Sequence, residues 1–219
     1  LVAANPGARF PEQLAAAQAA IELNPHESFY RQHLGSVYAQ MARAYKQRAA
    51  QAQQSGQAEV AARAMEQASV AADKGLAALM SALHHAWAPE NIFITAFQIY
   101  YQQGRIEEAM RALERAFDHS PHLGELRAQL AALQVERGLD DAALANCRYA
   151  IEASRSTPAR QRRPTADLVC GRVLLERGET EAARRHLERA QRISPQDPRV
   201  GQYMQQLERQ PAARTSTAS

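Results

Sequence analysis

FQIYYQQGRIEEAMRALERAFDHSP, residues Phe97–Pro121, has the pattern of two short helices that meet at a glycine. The same pattern recurs in AALQVERGLDDAALANCRYAIEASR (Ala131–Arg155) and in GRVLLERGETEAARRHLERAQRISP (Gly171–Pro195). The turn glycines, which lie 34 and then 40 residues apart, are Gly104, Gly138 and Gly178. Glycine readily takes the backbone conformation that ends one helix and starts the turn to the next. Three such segments predict a repeat of helical hairpins.

Small residues at fixed positions support this prediction. In the second helix of each segment, two alanines lie seven residues apart: Ala109 and Ala116, Ala143 and Ala150, Ala183 and Ala190. They share one helix face, so paired helices can approach closely there. Among the 219 residues only 6% are aromatic, and alanine, glutamine, arginine and leucine dominate. This composition favours helix over sheet, and we expect an all-α chain.

At these residues the chain resembles the tetratricopeptide repeat (TPR) family. The L-G-x-x-Y mark of that family is present as Leu34, Gly35 and Tyr38, and Pro121 closes one repeat. Arg155 stands where another closing proline would be expected. The resemblance implies an all-α, right-handed helical-hairpin solenoid whose role is to bind another protein. One elongated hairpin and a C-terminal capping helix complete the expected fold class.

The predicted layout is a single solenoid over residues 1–210. Its parts are the second helix of a truncated repeat (9–25), an elongated hairpin (28–88), regular repeats (90–121, 124–155 and 164–195) and a capping helix (198–210). The cap is expected because a terminal repeat would otherwise expose its apolar face. We expect residues 211–219 to be disordered.

The elongated hairpin is the unusual part of this layout. Helical patterning runs from Ser28 to about Gln54 without the turn that a regular repeat would place at Ala42. The returning helix carries a matching excess, with Ser55-Gly56 between the two arms. The alternative is two separate repeats with degraded marks, in which Gly75 forms a turn. We expect a single projecting hairpin that docks onto the rest of a larger protein.

A second resemblance follows from the order of the parts. A proline-closed helix, the N-P-x-E-x-F-Y segment at Asn24–Tyr30, a long hairpin and regular repeats resemble the repeat tail of O-antigen-ligase-like bacterial membrane proteins. That resemblance implies an accessory domain of a membrane glycosyltransferase acting on lipid-linked glycans. The chain would then be a fragment of a larger bacterial protein, in a periplasmic or membrane-associated location. A free TPR scaffold would instead be cytoplasmic.

The sequence predicts no enzyme, no cofactor and no metal site. Adjacent His84 and His85 point about 100° apart on a helix and do not easily share one metal ion. The formal charge of +3 gives no basic stripe of the kind that binds nucleic acid. Cys147 and Cys170 occupy positions that face each other in neighbouring repeats, either as buried thiols or as a disulfide. The sequence does not decide between free thiols and a disulfide. It also does not determine the oligomeric state.

The predicted partner is a protein or peptide segment, with the membrane part of a parent protein as a further possibility. The groove should be lined by the inward side of the first helices: Phe29, Gln32, Asn91, Ile94, Gln98, Tyr101, Glu125, Val135, Leu168, Arg172 and Leu175. This lining is mostly neutral and partly apolar, which suits a segment with apolar anchors. A second candidate is a basic loop that could meet anionic lipid or glycan phosphate. Its residues are Arg155, Arg160, Arg162 and Arg163.

Overall fold

The computed structural model describes residues 9–155 and 163–209, and these residues form ten α-helices and no strand. The predicted class, an all-α helical-hairpin solenoid with one elongated hairpin and a C-terminal capping helix, is confirmed. The chain divides into two compact units, Leu1–Ser120 (unit 1) and Pro121–Ser219 (unit 2). In the described residues, no helix combines the length and the apolar character needed to cross a membrane.

Unit 1 contains one short helix, the long hairpin and one regular hairpin. Its helices are α1 (Phe10–Leu23), α2 (Ser28–Gln54), α3 (Ala58–Ala82), α4 (Pro89–Gln102) and α5 (Ile106–His119). A short 3-10 turn, Leu83–His85, links α3 to α4. The arms of the long hairpin have 27 and 25 residues. At about 1.5 Å per residue, each arm is about 40 Å long.

The long hairpin is held together largely by alanine. Its buried alanines are Ala42, Ala49 and Ala52 on α2 and Ala61, Ala64, Ala68, Ala71, Ala72 and Ala82 on α3. Small side chains let two antiparallel helices pack at short distance over many turns. Helix α2 continues past Ala42 because no breaker interrupts it before Ser55, and Gly56 makes the turn with a φ of 72°. The extension is therefore built from helix-forming residues rather than from a decayed turn.

Gly75 lies inside α3 and does not form a turn. A Cβ atom at Gly75 would lie 3.2 Å from the backbone oxygen of Gly35 on α2. In turn, a Cβ at Gly35 would lie 2.6 Å from Cγ of the fully buried Leu79. The two glycines are thus sites of close helix approach, and the structure contains one long hairpin rather than two degraded repeats.

Unit 2 contains two regular hairpins and a final helix. Its helices are α6 (Gly124–Glu136), α7 (Asp140–Ala153), α8 (Thr165–Glu176), α9 (Thr180–Ile193) and α10 (Pro198–Arg209). The turns at Gly138 and Gly178 have φ values of 71° and 76°, a backbone conformation that favours glycine. Val200 and Leu207 of α10 are buried in the same apolar cluster as α8 and α9, so α10 caps that end of the core.

A disulfide joins Cys147 on α7 to Cys170 on α8, with their Cα atoms 5.9 Å apart. Both cysteines are completely buried in the apolar core of unit 2. Of the two alternatives that the sequence left open, the structure therefore contains the bonded one. The bond links two consecutive hairpins covalently.

Candidate functional site

One face of α4 is accessible along its whole length. Asn91, Ile94, Gln98 and Tyr101 recur at intervals of three or four residues, so they lie on one side of the helix, and each is exposed or half-exposed. Tyr101 is 52% exposed, and its ring lies against that of the buried Phe97 at 5.9 Å between centroids. We call these four residues the α4 stripe. The stripe has no formal charge and carries two apolar anchors.

The start of α2 presents a further exposed aromatic side chain. Phe29 is 62% exposed, and its ring stacks on that of His33 with centroids 6.5 Å apart. The Glu27 carboxylate accepts a hydrogen bond from the Phe29 backbone amide at 3.1 Å and so caps the helix. Gln32, one turn further along, is half-buried. The cap fixes the backbone at Phe29, so this side chain is presented from an ordered position.

In unit 2, three of the predicted groove residues belong to the core. Val135, Leu168 and Leu175 are buried in the apolar cluster built from α6 to α10. Their positions in the predicted repeat assigned them to an inward face, but α8 is packed against α6, α7, α9 and α10 and has almost no free side. These three side chains therefore cannot act as surface anchors, and their place in the predicted groove is corrected.

The other two predicted groove residues of unit 2, Glu125 and Arg172, are half-buried. Burial raises the pKa of the Glu125 carboxyl, while the nearby Arg163 and a hydrogen bond donated by Thr165 Oγ1 at 3.3 Å act in the opposite direction. Arg172 forms an ion pair with Glu176, with 2.9 Å between Nε and Oε1, and this hydrogen bond raises its pKa. These side chains are polar, so the accessible surface here differs in chemistry from the α4 stripe.

The predicted basic loop lies only partly within the described residues. Arg155 pairs with Glu152, with 3.0 Å between Nη2 and Oε2, and Arg163 is exposed. Arg160 and Arg162 lie outside the described residues, as does the predicted disordered tail at 211–219. The prediction of an anionic ligand for this loop therefore stays a prediction.

A polar network between α8 and α9 was not predicted from the sequence. Asp167 is buried, and its Oδ1 lies 2.9 Å from Nδ1 of His186 and 3.0 Å from Nε of Arg189. A signal was present, because an aspartate in the apolar helix α8 needs a buried partner and α9 offers two candidates one turn apart. These two partners satisfy the buried carboxylate, so Asp167 needs no ligand to explain its burial. In the described residues no group of histidine, cysteine and carboxylate side chains could hold a metal ion.

The long hairpin has a groove on each side of its middle part. One, of about 350 Å³, lies between the hairpin and the end of α4 and includes Lys46, which donates a hydrogen bond to the backbone oxygen of Gln102. The other, of about 310 Å³, lies between α2 and α3. Its lining includes Tyr38, Met41, Tyr45 and Val70. This second groove is lined mainly by apolar and aromatic side chains, and the sequence-based list of sites does not include it.

Comparison with known proteins identifies the fold but no family. No family model and no curated protein matches the chain. Among solved structures, MamA has a TM-score of 0.60 at 12% identity and covers 89% of this chain and 96% of its own. YrrB, described as a TPR protein with an unusual peptide-binding site, has a TM-score of 0.53 at 17% identity, covering 87% and 98%. PilF of Pseudomonas aeruginosa has a TM-score of 0.51 at 10% identity, covering 90% and 96%. At these identities the likeness shows a TPR-like fold and nothing more.

Proposed function

We propose that this chain is a non-catalytic scaffold that binds a segment of another protein along the α4 stripe and the neighbouring start of α2. The observation that carries the proposal is the exposed, uncharged α4 stripe, with Ile94 and Tyr101 as anchors. Both elements lie in unit 1, and α4 packs directly against α2.

The chemistry of the stripe defines the kind of segment that it fits. Half-exposed Ile94 and the exposed Tyr101 ring offer apolar contacts, while Asn91 and Gln98 can donate and accept hydrogen bonds. An extended or helical segment with one or two apolar anchors and few charges matches this pattern. That YrrB is described as having a peptide-binding site supports the use of a TPR-like scaffold for this purpose.

The test is selection of peptides from a random displayed library on the immobilised full chain. We expect enrichment of sequences with apolar anchors, and we expect an Ile94→Asp, Tyr101→Ala double variant to bind them at least about thirtyfold more weakly, as for an interface hot spot. Val60→Ser, at a partly exposed valine near the tip of the long hairpin, is the matched control and should bind like the wild type. Equal affinity of the double variant and the wild type would refute the assignment of the stripe.

The disulfide favours a second, more specific candidate. Disulfides persist in oxidising compartments and are rare in the reducing cytoplasm. The Cys147–Cys170 bond therefore supports an extracytoplasmic place for the chain, as in an accessory domain of a membrane glycosyltransferase acting on lipid-linked glycans. The coding sequence upstream of Leu1 tests this candidate. Several apolar spans of about 20 residues each would support it, and further soluble repeats would count against it.

A further inference from the structure

We infer that the groove on the α2–α3 face of the long hairpin is a self-association site, in which a second copy of this chain packs its own long hairpin in antiparallel orientation. The groove is defined by Tyr38, Met41 and Tyr45 on α2 and by Glu66, Val70 and Lys74 on α3. All six residues belong to unit 1.

Four large side chains around the groove are incompletely buried. Val70 is 50% exposed, and Tyr38, Met41 and Tyr45 are half-buried around the same 310 Å³ groove. Tyrosine and methionine, which supply three of these four side chains, are enriched at protein interfaces. Since the flanking Glu66 and Lys74 are exposed, the patch has an apolar centre and a polar rim.

The order of charges along α3 identifies the occupant as another copy of the same chain. Glu66, Val70 and Lys74 lie four residues apart, so they form one i±4 row on the helix surface. When two such rows pack against each other in antiparallel orientation with Val70 opposite Val70, Glu66 of each copy lies opposite Lys74 of the other. The row is therefore complementary to itself under a twofold axis, as an isologous dimer interface requires.

The two charges are available for this contact. Glu66 and Lys74 lie about 12 Å apart along the helix, which is too far for an ion pair within α3. Within residues 9–155 and 163–209, neither side chain forms an ion pair. The next members of the row on either side are Ala62 and Ala78, whose small side chains permit the close approach of a crossing helix.

The test measures the molar mass of the full chain by sedimentation over a concentration series, with far-UV circular dichroism to verify folding. The wild type should be a dimer that dissociates on dilution and is weakened by salt. Val70→Asp places a charge at the centre of the interface and should yield a monomer at every concentration. Because Val70 is half-exposed, this change should leave the helical signal unaltered.

Reversing the charges of Glu66 and Lys74 tests whether the dimer forms through this groove or through another surface. Glu66→Lys or Lys74→Glu alone turns both intercopy pairs into like-charge contacts and should raise the dissociation constant about tenfold. The double variant Glu66→Lys, Lys74→Glu restores opposite charges at both pairs and should recover the dimer. Glu22→Lys, an exposed reversal on α1, is the matched control and should behave like the wild type.

Two outcomes would overturn the inference. One is a wild-type chain that stays monomeric at every concentration, which would assign the groove to a different partner. The other is a dimer whose dissociation constant is the same in the single and the double charge variants, which would place the interface elsewhere on the molecule.

Discussion

Reduction of the Cys147–Cys170 disulfide should lower the stability of unit 2 by about 3.4 kcal/mol. The two cysteines are 23 residues apart in sequence, and closing a loop of that length restricts the unfolded chain by about this amount in the chain-entropy account. Both residues are completely buried, so the reduced thiols would remain in an apolar site without contact with water. The effect of the bond therefore falls mainly on the unfolded state.

The assay compares the oxidised and the reduced full chain. Thiol titration under denaturing, non-reducing conditions comes first and should find no free thiol in the oxidised protein. Hydrogen exchange followed by mass spectrometry then reports on α7 and α8, whose slowest amides exchange through global opening of their unit. A loss of 3.4 kcal/mol corresponds to about 300-fold faster exchange of those amides.

Two controls accompany this measurement. A Cys147→Ala, Cys170→Ala double variant should show the same exchange with and without reductant. Peptides from α2 and α3 in unit 1 contain no cysteine and serve as an internal reference. Two free thiols in the protein as purified would show that the bond does not form. Exchange in α7 and α8 that is the same with and without reductant would show that the bond does not stabilise this unit.

Two further changes test the packing and the electrostatics. Gly35→Ala should destabilise the long hairpin by about 1–3 kcal/mol in urea unfolding, because its Cβ would lie 2.6 Å from Cγ of the buried Leu79. Gly201→Ala on α10 is the control, since its Cβ would meet no described atom within 4 Å and should be neutral or slightly stabilising. Burial raises the pKa of Glu125, so the folded state favours the protonated carboxyl. The stability that this preference contributes is fully present below about pH 4.3, the ordinary pKa of glutamate, and is lost as the pH rises through the raised pKa. Glu125→Gln should therefore match the wild type near pH 4 and exceed it in unfolding midpoint at pH 7; an equal midpoint at both pH values would contradict the stated direction.

The helices could be predicted from the sequence because each is defined by local signals. Gly104, Gly138 and Gly178 all have positive φ in the structure, so the residue that marks each turn is also the residue that makes it. The long hairpin was predictable because such a turn signal is absent from the stretch where a regular repeat would have one. Helix α2 contains no glycine or proline between Ala42 and Ser55, and the alanine-rich sequence of both arms provides helix propensity and a small-residue packing face.

The candidate site was predictable only where a helix has one packed side. Helix α4 buries Ile92, Ala96 and Ile99 and leaves the α4 stripe accessible, so position in the predicted repeat was enough to assign those residues. Helix α8 is surrounded, and there periodicity cannot distinguish an inward surface from the core. The disulfide was left open and the Asp167 network was missed for a related reason. The disulfide joins two neighbouring hairpins and the network joins the two helices of one hairpin, and a helical period does not encode which side chains of different helices meet in space.

The long hairpin differs from the regular repeats in where its stabilisation comes from. In unit 2 the fully buried side chains are mainly leucine, valine and the cysteine pair, whereas the long hairpin buries chiefly alanine. Alanine buries little apolar area per residue, so such a hairpin gains less from the hydrophobic effect for each residue that it orders. The larger apolar residues of its middle part, Val70, Met41 and the two tyrosines, are instead left half-exposed around one groove. A partner that covers this groove would add buried apolar area to a hairpin that buries little of it alone. Partner binding at this site should therefore also stabilise the folded hairpin.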